Sequence, residues 1–138
     1  MLHHLTLWVP DLERAAAPWQ WLMVERLGYE AEQRDDGLMV LFRDGNGFTL
    51  VLEESPDMVP GMLHSRLRPG LNHVAFTLDS AAELDAVVEA APSHGWSSLP
   101  VDRHPIAGGA AVAYLEDRDG FEVELVAPVP EVSGHPDR

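Results

Sequence analysis

The chain has 138 residues, a formal net charge of −14, 46% hydrophobic residues and no cysteine, a size and composition typical of one soluble globular domain. The negative charge argues against binding to nucleic acid or an anionic membrane surface, and the lack of cysteine excludes disulfides and thiolate ligands. No apolar run approaches the ~20 residues that span a bilayer and no secretory leader is evident, so we expect a cytoplasmic protein.

The first half of the chain has the pattern of a strand, a helix and three further strands. Residues 2–9 alternate between apolar and other side chains, as in a strand with two distinct faces. Asp11 is a suitable N-cap for a helix over 12–27, which Pro18 should kink or restart. Turn residues rich in Asp and Gly then separate the three predicted strands, which cover 29–33, 38–42 and 48–53.

The second half repeats this order. A strand ending at Leu78 leads into a helix over 81–91, and Ser80 with Glu83 forms a predicted capping box at its start. Three strands follow, at 96–99, 110–115 and 121–126. The proline-containing segment between the halves favours a linker. We therefore expect one domain over 1–127, with module 1 at 1–54, a linker at 55–69, module 2 at 70–127 and a flexible tail at 128–138.

These repeats predict an α+β fold made of two βαβββ modules. In each module the bulky apolar residues of the strands should face the helix, so the opposite face of the sheet stays open. Two such modules side by side would curl into a cupped mixed sheet with the helices outside. The side chains on the open faces would line the cup.

The predicted lining contains a set of side chains typical of a metal site. His4 and His73 occupy matching positions in the opening strands of the two halves, and Glu124, together with Glu122, comes from the last strand. Two imidazoles with one or two carboxylates can form a three-ligand or a four-ligand site with an open position. Without thiolates, the expected metal is zinc, nickel, iron, manganese or cobalt.

Three motifs resemble those of the vicinal oxygen chelate superfamily, which contains glyoxalase I, bleomycin-resistance proteins and extradiol dioxygenases. They are His-Leu-Thr-Leu-Trp-Val-Pro-Asp-Leu-Glu at 4–13, Asn-His-Val-Ala-Phe at 72–76 and Glu-Asp-Arg-Asp-Gly-Phe-Glu-Val-Glu-Leu at 116–125. The resemblance covers roughly residues 1–127 and implies a pair of βαβββ modules. It also implies the metal ligands His4, His73 and Glu124, a small-molecule substrate and a homodimer.

One position departs from the four-ligand pattern of this superfamily. Val51 lies where the first module would supply the counterpart of Glu124. Glu53, two residues further on the same face, could replace that ligand or act as a general base. Thr6 and Trp8 share the face of His4 and, with Val51, are predicted to line the substrate pocket, while His104 lies in a loop that could form its rim.

The resemblance leaves more than one class of function open. The first hypothesis is a metal-dependent lyase, isomerase or dioxygenase that chelates vicinal oxygens of a small molecule. The second is a non-catalytic protein of the bleomycin-resistance type, which sequesters a drug or metabolite in the same cup. The third is a housekeeping dimer with a vestigial pocket. Metal content helps to separate the first hypothesis from the second.

Overall fold

Two four-stranded mixed sheets, each with one α-helix, make up the computed structural model, which describes residues 1–100 and 110–128. The first sheet contains β1 (His4–Trp8), β2 (Glu30–Arg34), β3 (Met39–Arg43) and β4 (Thr49–Glu53), with α1 (Leu12–Gln20) after β1. The second contains β5 (His73–Thr77), β6 (Ser97–Leu99), β7 (Ala111–Glu116) and β8 (Glu122–Ala127), with α2 (Ala81–Ala90) after β5. The predicted α+β fold of two βαβββ modules is confirmed.

The pairing of the strands repeats from one sheet to the other. The strand orders are β1-β4-β3-β2 and β5-β8-β7-β6, and in both sheets the opening strand runs parallel to the closing strand. Thr6 pairs with Val51 in the first sheet, and Ala75 pairs with Glu124 in the second. Val51 therefore occupies in the first module the position that Glu124 occupies in the second.

The core lies on the helix side of each sheet, as the alternation predicts. Leu50 and Leu52 of β4 and Val123 and Leu125 of β8 are completely buried there. The side chains between them point to the open faces. Because adjacent residues of a strand point to opposite faces, burying these residues directs Val51 and Glu124 to the open faces of the two sheets.

The first helix differs from its prediction. The chain is helical over almost all of the predicted range 12–27, but it stays α-helical through Pro18 and changes into a π-helical segment, Trp21–Arg26, three residues after the predicted interruption. Pro18 has no N–H to donate to the preceding turn. The wider turn of the π-helix accompanies the burial of three consecutive side chains, Trp21, Leu22 and Met23.

Two buried indoles join the modules. Trp19 of α1 donates from Nε1 to Oδ2 of Asp117 at 2.9 Å, and Trp96 donates from Nε1 to the carbonyl oxygen of Pro18 at 3.0 Å. The two indole rings pack edge to face, with their centroids 5.0 Å apart. Both indoles therefore satisfy their donors while they bury large apolar surfaces between the modules.

The segment between the sheets packs on the second module and also exposes apolar side chains. The ring of His64 stacks on Phe121 with a centroid separation of 4.2 Å and an interplanar angle of 9°. Four large apolar residues nearby are exposed: Val59, Met62, Leu63 and Leu67. The predicted rim residue His104 and residues 129–138 of the predicted tail lie outside the described residues. No described helix is long and apolar enough to cross a membrane.

Candidate metal centre

A histidine and a glutamate face each other on the open side of the second sheet. His73 begins β5, and Glu124 lies on the neighbouring strand β8, one row further along. Nε2 of His73 lies 3.0 Å from Oε1 of Glu124, and Glu124 is only 5% exposed. An imidazole nitrogen and a buried carboxylate at this separation fit two ligands of one divalent metal, given the donor types such ions prefer.

The neighbours of His73 hold its ring in this orientation. Nδ1 lies 2.7 Å from Oδ1 of Asn72 and 3.3 Å from Oε2 of Glu122. The ring of Tyr114 packs against the imidazole edge to face, at a centroid distance of 5.8 Å. Because the polar partners on one side engage Nδ1, Nε2 is directed toward Glu124. Such partners behind a ligating histidine orient the ring for a metal.

A second carboxylate, that of Glu122 in the same row as His73, is held by the linker. Nε of Arg66 lies 3.2 Å from Oε1 of Glu122, and Arg66 also pairs with Glu116. Glu122 therefore bridges Arg66 and His73, rather than being a solvated strand residue. Sequence reasoning missed Arg66, since a single arginine in an irregular segment has no local pattern that points to the sheet it will reach.

His4 lies on the open face of the other sheet. It is exposed, and its Nδ1 lies 2.8 Å from Nδ1 of His3. Among the described residues, no group of three or more His, Cys, Asp or Glu side chains is arranged to hold a metal ion. One copy of the chain thus brings His73 and Glu124 together, while His4 remains apart from them.

The other predicted pocket residues share the face of His4. Trp8 is 48% exposed and donates from Nε1 to Oε1 of Glu53 at 2.9 Å, directly across the strand pair β1–β4. Thr6 is exposed beside Trp8, and Val51 is buried in the same row as Thr6. Thr6 and Trp8 also line a cavity of about 500 Å³, whose other walls come largely from the linker. This open face therefore combines an apolar wall with a fixed carboxylate.

Comparison with known proteins agrees with this fold. Residues 3–114 match the family profile described as the Glyoxalase/Bleomycin resistance protein/Dioxygenase superfamily. The uncharacterized protein YqjT of Bacillus subtilis (strain 168) is 36% identical over 129 residues, which are 92% of this chain and 98% of YqjT. The chain belongs to the glyoxalase/bleomycin resistance protein/dioxygenase superfamily.

Solved structures show the same fold. The crystal structure of a glyoxalase candidate from Bacillus halodurans is 35% identical, with a TM-score of 0.78 over 93% of this chain and 96% of that chain. A mutant of the fosfomycin resistance protein FosX from Listeria monocytogenes, in complex with Mn(II) and 1S,2S-dihydroxypropylphosphonic acid, is 24% identical. Its TM-score is 0.66 over 93% of this chain and 90% of FosX. The FosX comparison shows a shared fold.

Proposed function

We propose that this protein is a divalent-metal-dependent enzyme that acts on two adjacent oxygens of a small molecule, and that its metal site is shared between two copies of the chain. The observation that carries the proposal is the 3.0 Å approach of His73 Nε2 to Glu124 Oε1. The membership in a superfamily with a Mn(II)-bound relative of the same fold supports it. His4, on the other open face, is the third ligand.

A two-fold dimer would supply the third ligand. β1 and β5 are edge strands of their sheets, and they carry His4 and His73. In a symmetric dimer, a contact between β1 of one copy and β5 of the other occurs twice. Each of two identical sites then takes His73 and Glu124 from one copy and His4 from its partner. The same contact covers two strand edges that are otherwise open to pairing with other chains.

The residues around His4 have separate roles in this proposal. The metal, when bound, supplies charge stabilisation for an oxyanion that forms on the substrate. Glu53 accepts a proton as general base, and the indole N–H of Trp8 donates to Oε1 and holds the carboxylate in place. The indole and Thr6 form the wall against which the substrate packs. This assignment suits a lyase, an isomerase or a dioxygenase.

Element analysis of untagged protein tests the metal. We expect about one divalent ion per chain in the wild type, because a three-ligand site of this type holds one ion. His4→Ala and His73→Ala should each lose it, whereas His94→Ala should retain it, since His94 stacks on Trp21 away from both open faces. Wild-type protein that remains metal-free after incubation with Zn²⁺, Mn²⁺, Ni²⁺, Fe²⁺ and Co²⁺ would refute the proposal.

Mixing the two variants that are expected to lose the metal tests whether one site takes its ligands from two copies of the chain. A heterodimer of His4→Ala and His73→Ala contains one site with both substitutions and one intact site. Random exchange of subunits should therefore restore about a quarter of the wild-type metal content. Each variant alone should bind none. If mixing and exchange restore no metal, while the wild type binds it, the ligands come from one chain and the shared site is wrong.

The alternative function is the binding of a drug or metabolite without catalysis. The apolar cavity beside Trp8 and the valine in the position that matches Glu124 favour it. Metal-free protein that binds an aromatic ligand with unchanged affinity after Glu53→Gln and His73→Ala would support this alternative. An affinity that depends on loaded metal supports the enzyme.

A further inference from the structure

We propose that Arg34 and Arg43 form an anion-binding subsite next to His4, so that the substrate carries a carboxylate or a similar oxyanion in addition to the oxygens that the metal chelates. This inference rests on the proposed function and narrows its substrate class. It starts from a cavity of about 390 Å³ on the open face of the first sheet, lined by His3, His4, Arg34, Leu41, Arg43, Thr49 and Val51.

The charges around this cavity are unusual for the chain. The chain has a net charge of −14 and nine arginines but no lysine, yet two of these arginines and no carboxylate are among the described residues that line this cavity. Arg34 and Arg43 both pair with a single carboxylate, that of Glu32. Hydrogen bonds from Arg34 and then Arg43 lower the pKa of Glu32, so it stays ionised. The three side chains together retain one positive charge.

The hydrogen bonds leave donors free for a second anion. Arg43 reaches Glu32 with Nη1 at 3.3 Å and Nη2 at 3.4 Å. Among the described residues, Arg34 bonds Glu32 through Nε alone, at 2.5 Å. Its two terminal nitrogens can therefore donate to a second carboxylate in the parallel two-bond geometry that guanidinium groups favour. Glu32 holds both side chains in place before a ligand arrives.

The strand register sets the distance from the metal ligand. Arg43 pairs with Thr49, and Thr49 pairs with His4, so two strand spacings separate the arginine from the histidine. These two spacings amount to about 10 Å between the Cα atoms. Thr49 lies between them, and Leu41 and Val51 in the next row of the same face are buried and form an apolar floor beside that line. The cavity thus fits a molecule with vicinal oxygens at one end, a short apolar body and an anion at the other end.

A different role for the same charges is protection of the sheet edge. β2 is an edge strand, and charged residues on such strands prevent pairing with other chains. That role requires only charge on β2, whereas Arg43 is on the interior strand β3. The position of Arg43 and the shared cavity with His4 favour the subsite.

Two matched probes test the subsite on Mn²⁺-loaded protein. 3,4-Dihydroxybenzoate and 3,4-dihydroxybenzamide have the same vicinal oxygens and ring, and only the first carries a negative charge. Calorimetric titration should show about tenfold tighter binding of the benzoate, the expected gain from one charge-assisted hydrogen bond. Arg34→Gln/Arg43→Gln should reduce that preference to about twofold or less and leave binding of the benzamide unchanged.

The control variant is Arg26→Gln, at a residue that is not among those lining the cavity. Arg26→Gln removes the same type of charge from a side chain that packs over Trp21, and the preference should persist. If loaded protein binds both probes equally, or if the double variant keeps the preference, the subsite is wrong and the metal proposal stands. If the protein loads none of the five divalent ions, the proposed function fails, and the subsite fails with it; if it loads another of them in place of Mn²⁺, the titration uses that ion.

Discussion

At the scale of single residues, His73 shows how neighbouring groups fix the orientation of an imidazole ring. The sequence motif Asn72-His73 predicts only that an imidazole sits at the start of a strand. In the structure Oδ1 of Asn72 lies 2.7 Å from Nδ1 of His73, and Nδ2 of Asn72 donates to the carbonyl oxygen of Arg66 at 2.9 Å. Asn72 therefore contacts the linker with one side-chain atom and the imidazole ring of His73 with the other.

We predict that Asn72→Ala weakens metal binding about tenfold or more, because the ring of His73 loses its nearest orienting partner. The measurement is competition for Zn²⁺ with a fluorescent chelator. Asn46→Ala, a substitution in an exposed turn, serves as the control and should bind as the wild type does. Equal affinity of both variants would show that Glu122 alone orients the ring.

A second prediction concerns His64, which is stacked on Phe121 with Nε2 buried and without a hydrogen-bond partner among the described residues. Burial lowers the pKa of His64, Asp117 opposes this shift, and Arg68 adds to it. A histidine whose pKa is lower in the folded state stabilises the fold above its ordinary pKa. That stability is lost as the pH falls through the ordinary value of 6.5 toward the folded value.

His64→Phe should therefore reduce the acid sensitivity of metal-free protein, since phenylalanine keeps the stack and does not titrate. Urea unfolding between about pH 7 and pH 5 measures this. The free energy of unfolding of the wild type should fall more steeply with pH than that of the variant. Parallel curves would mean that His64 is neutral or charged to the same extent in both states.

At the scale of elements, the turn after α2 approaches the first module closely. Gly95 has a φ of +89°, and a Cβ placed there would lie 2.8 Å from Cγ of Pro18. The same segment positions Trp96, whose indole donates to the carbonyl oxygen of Pro18. Glycine is thus required both for the backbone conformation and for the contact between modules.

Gly95→Ala should lower the free energy of unfolding by about 2–3 kcal/mol, the sum of a left-handed backbone and a steric clash. Gly61→Ala is a matched control, because Gly61 has a φ of +78° and the added Cβ meets no atom of the described residues within 4 Å. It should cost about 1 kcal/mol. Chemical denaturation compares the two. Equal losses would show that Pro18 moves away at little cost.

At the scale of the whole molecule, the separation of His4 from His73 makes the proposed site depend on assembly. A metal bound by ligands from two copies stabilises the dimer, and the dimer in turn raises the affinity for the metal. The exposed apolar residues of the linker, such as Met62 and Leu63, are further surface that a partner can cover.

We predict that Mn²⁺ or Zn²⁺ shifts the monomer–dimer equilibrium toward the dimer. Sedimentation equilibrium at protein concentrations near the dissociation constant measures the shift. His73→Ala should show no response to the ion, and His94→Ala should respond as the wild type does. Stoichiometric metal binding without a change in self-association would contradict a shared site.

Local signals in the sequence predict the repeat and the two faces of each sheet, because strand alternation, caps and turns depend on neighbouring residues. The bounds of β8 show the limit of such signals. The prediction began at Phe121, but its N–H donates to Oδ1 of Asp117 in the turn, so the ladder starts at Glu122. A side chain in the turn, rather than the alternation of the strand, decides that boundary.

The contact between the two modules follows from the folded chain and has no local signal in the sequence. Their relative placement follows from the Trp19–Asp117 bond, the packing of Trp96 on Pro18 and the close approach at Gly95. These contacts join residues far apart in the chain, and their polar partners have no periodic pattern that alternation could reveal. Which side chains share a face of a sheet depends on residues that are neighbours in the sequence. The way in which two sheets pack together depends on the shapes of their surfaces and on hydrogen bonds between residues far apart in the chain.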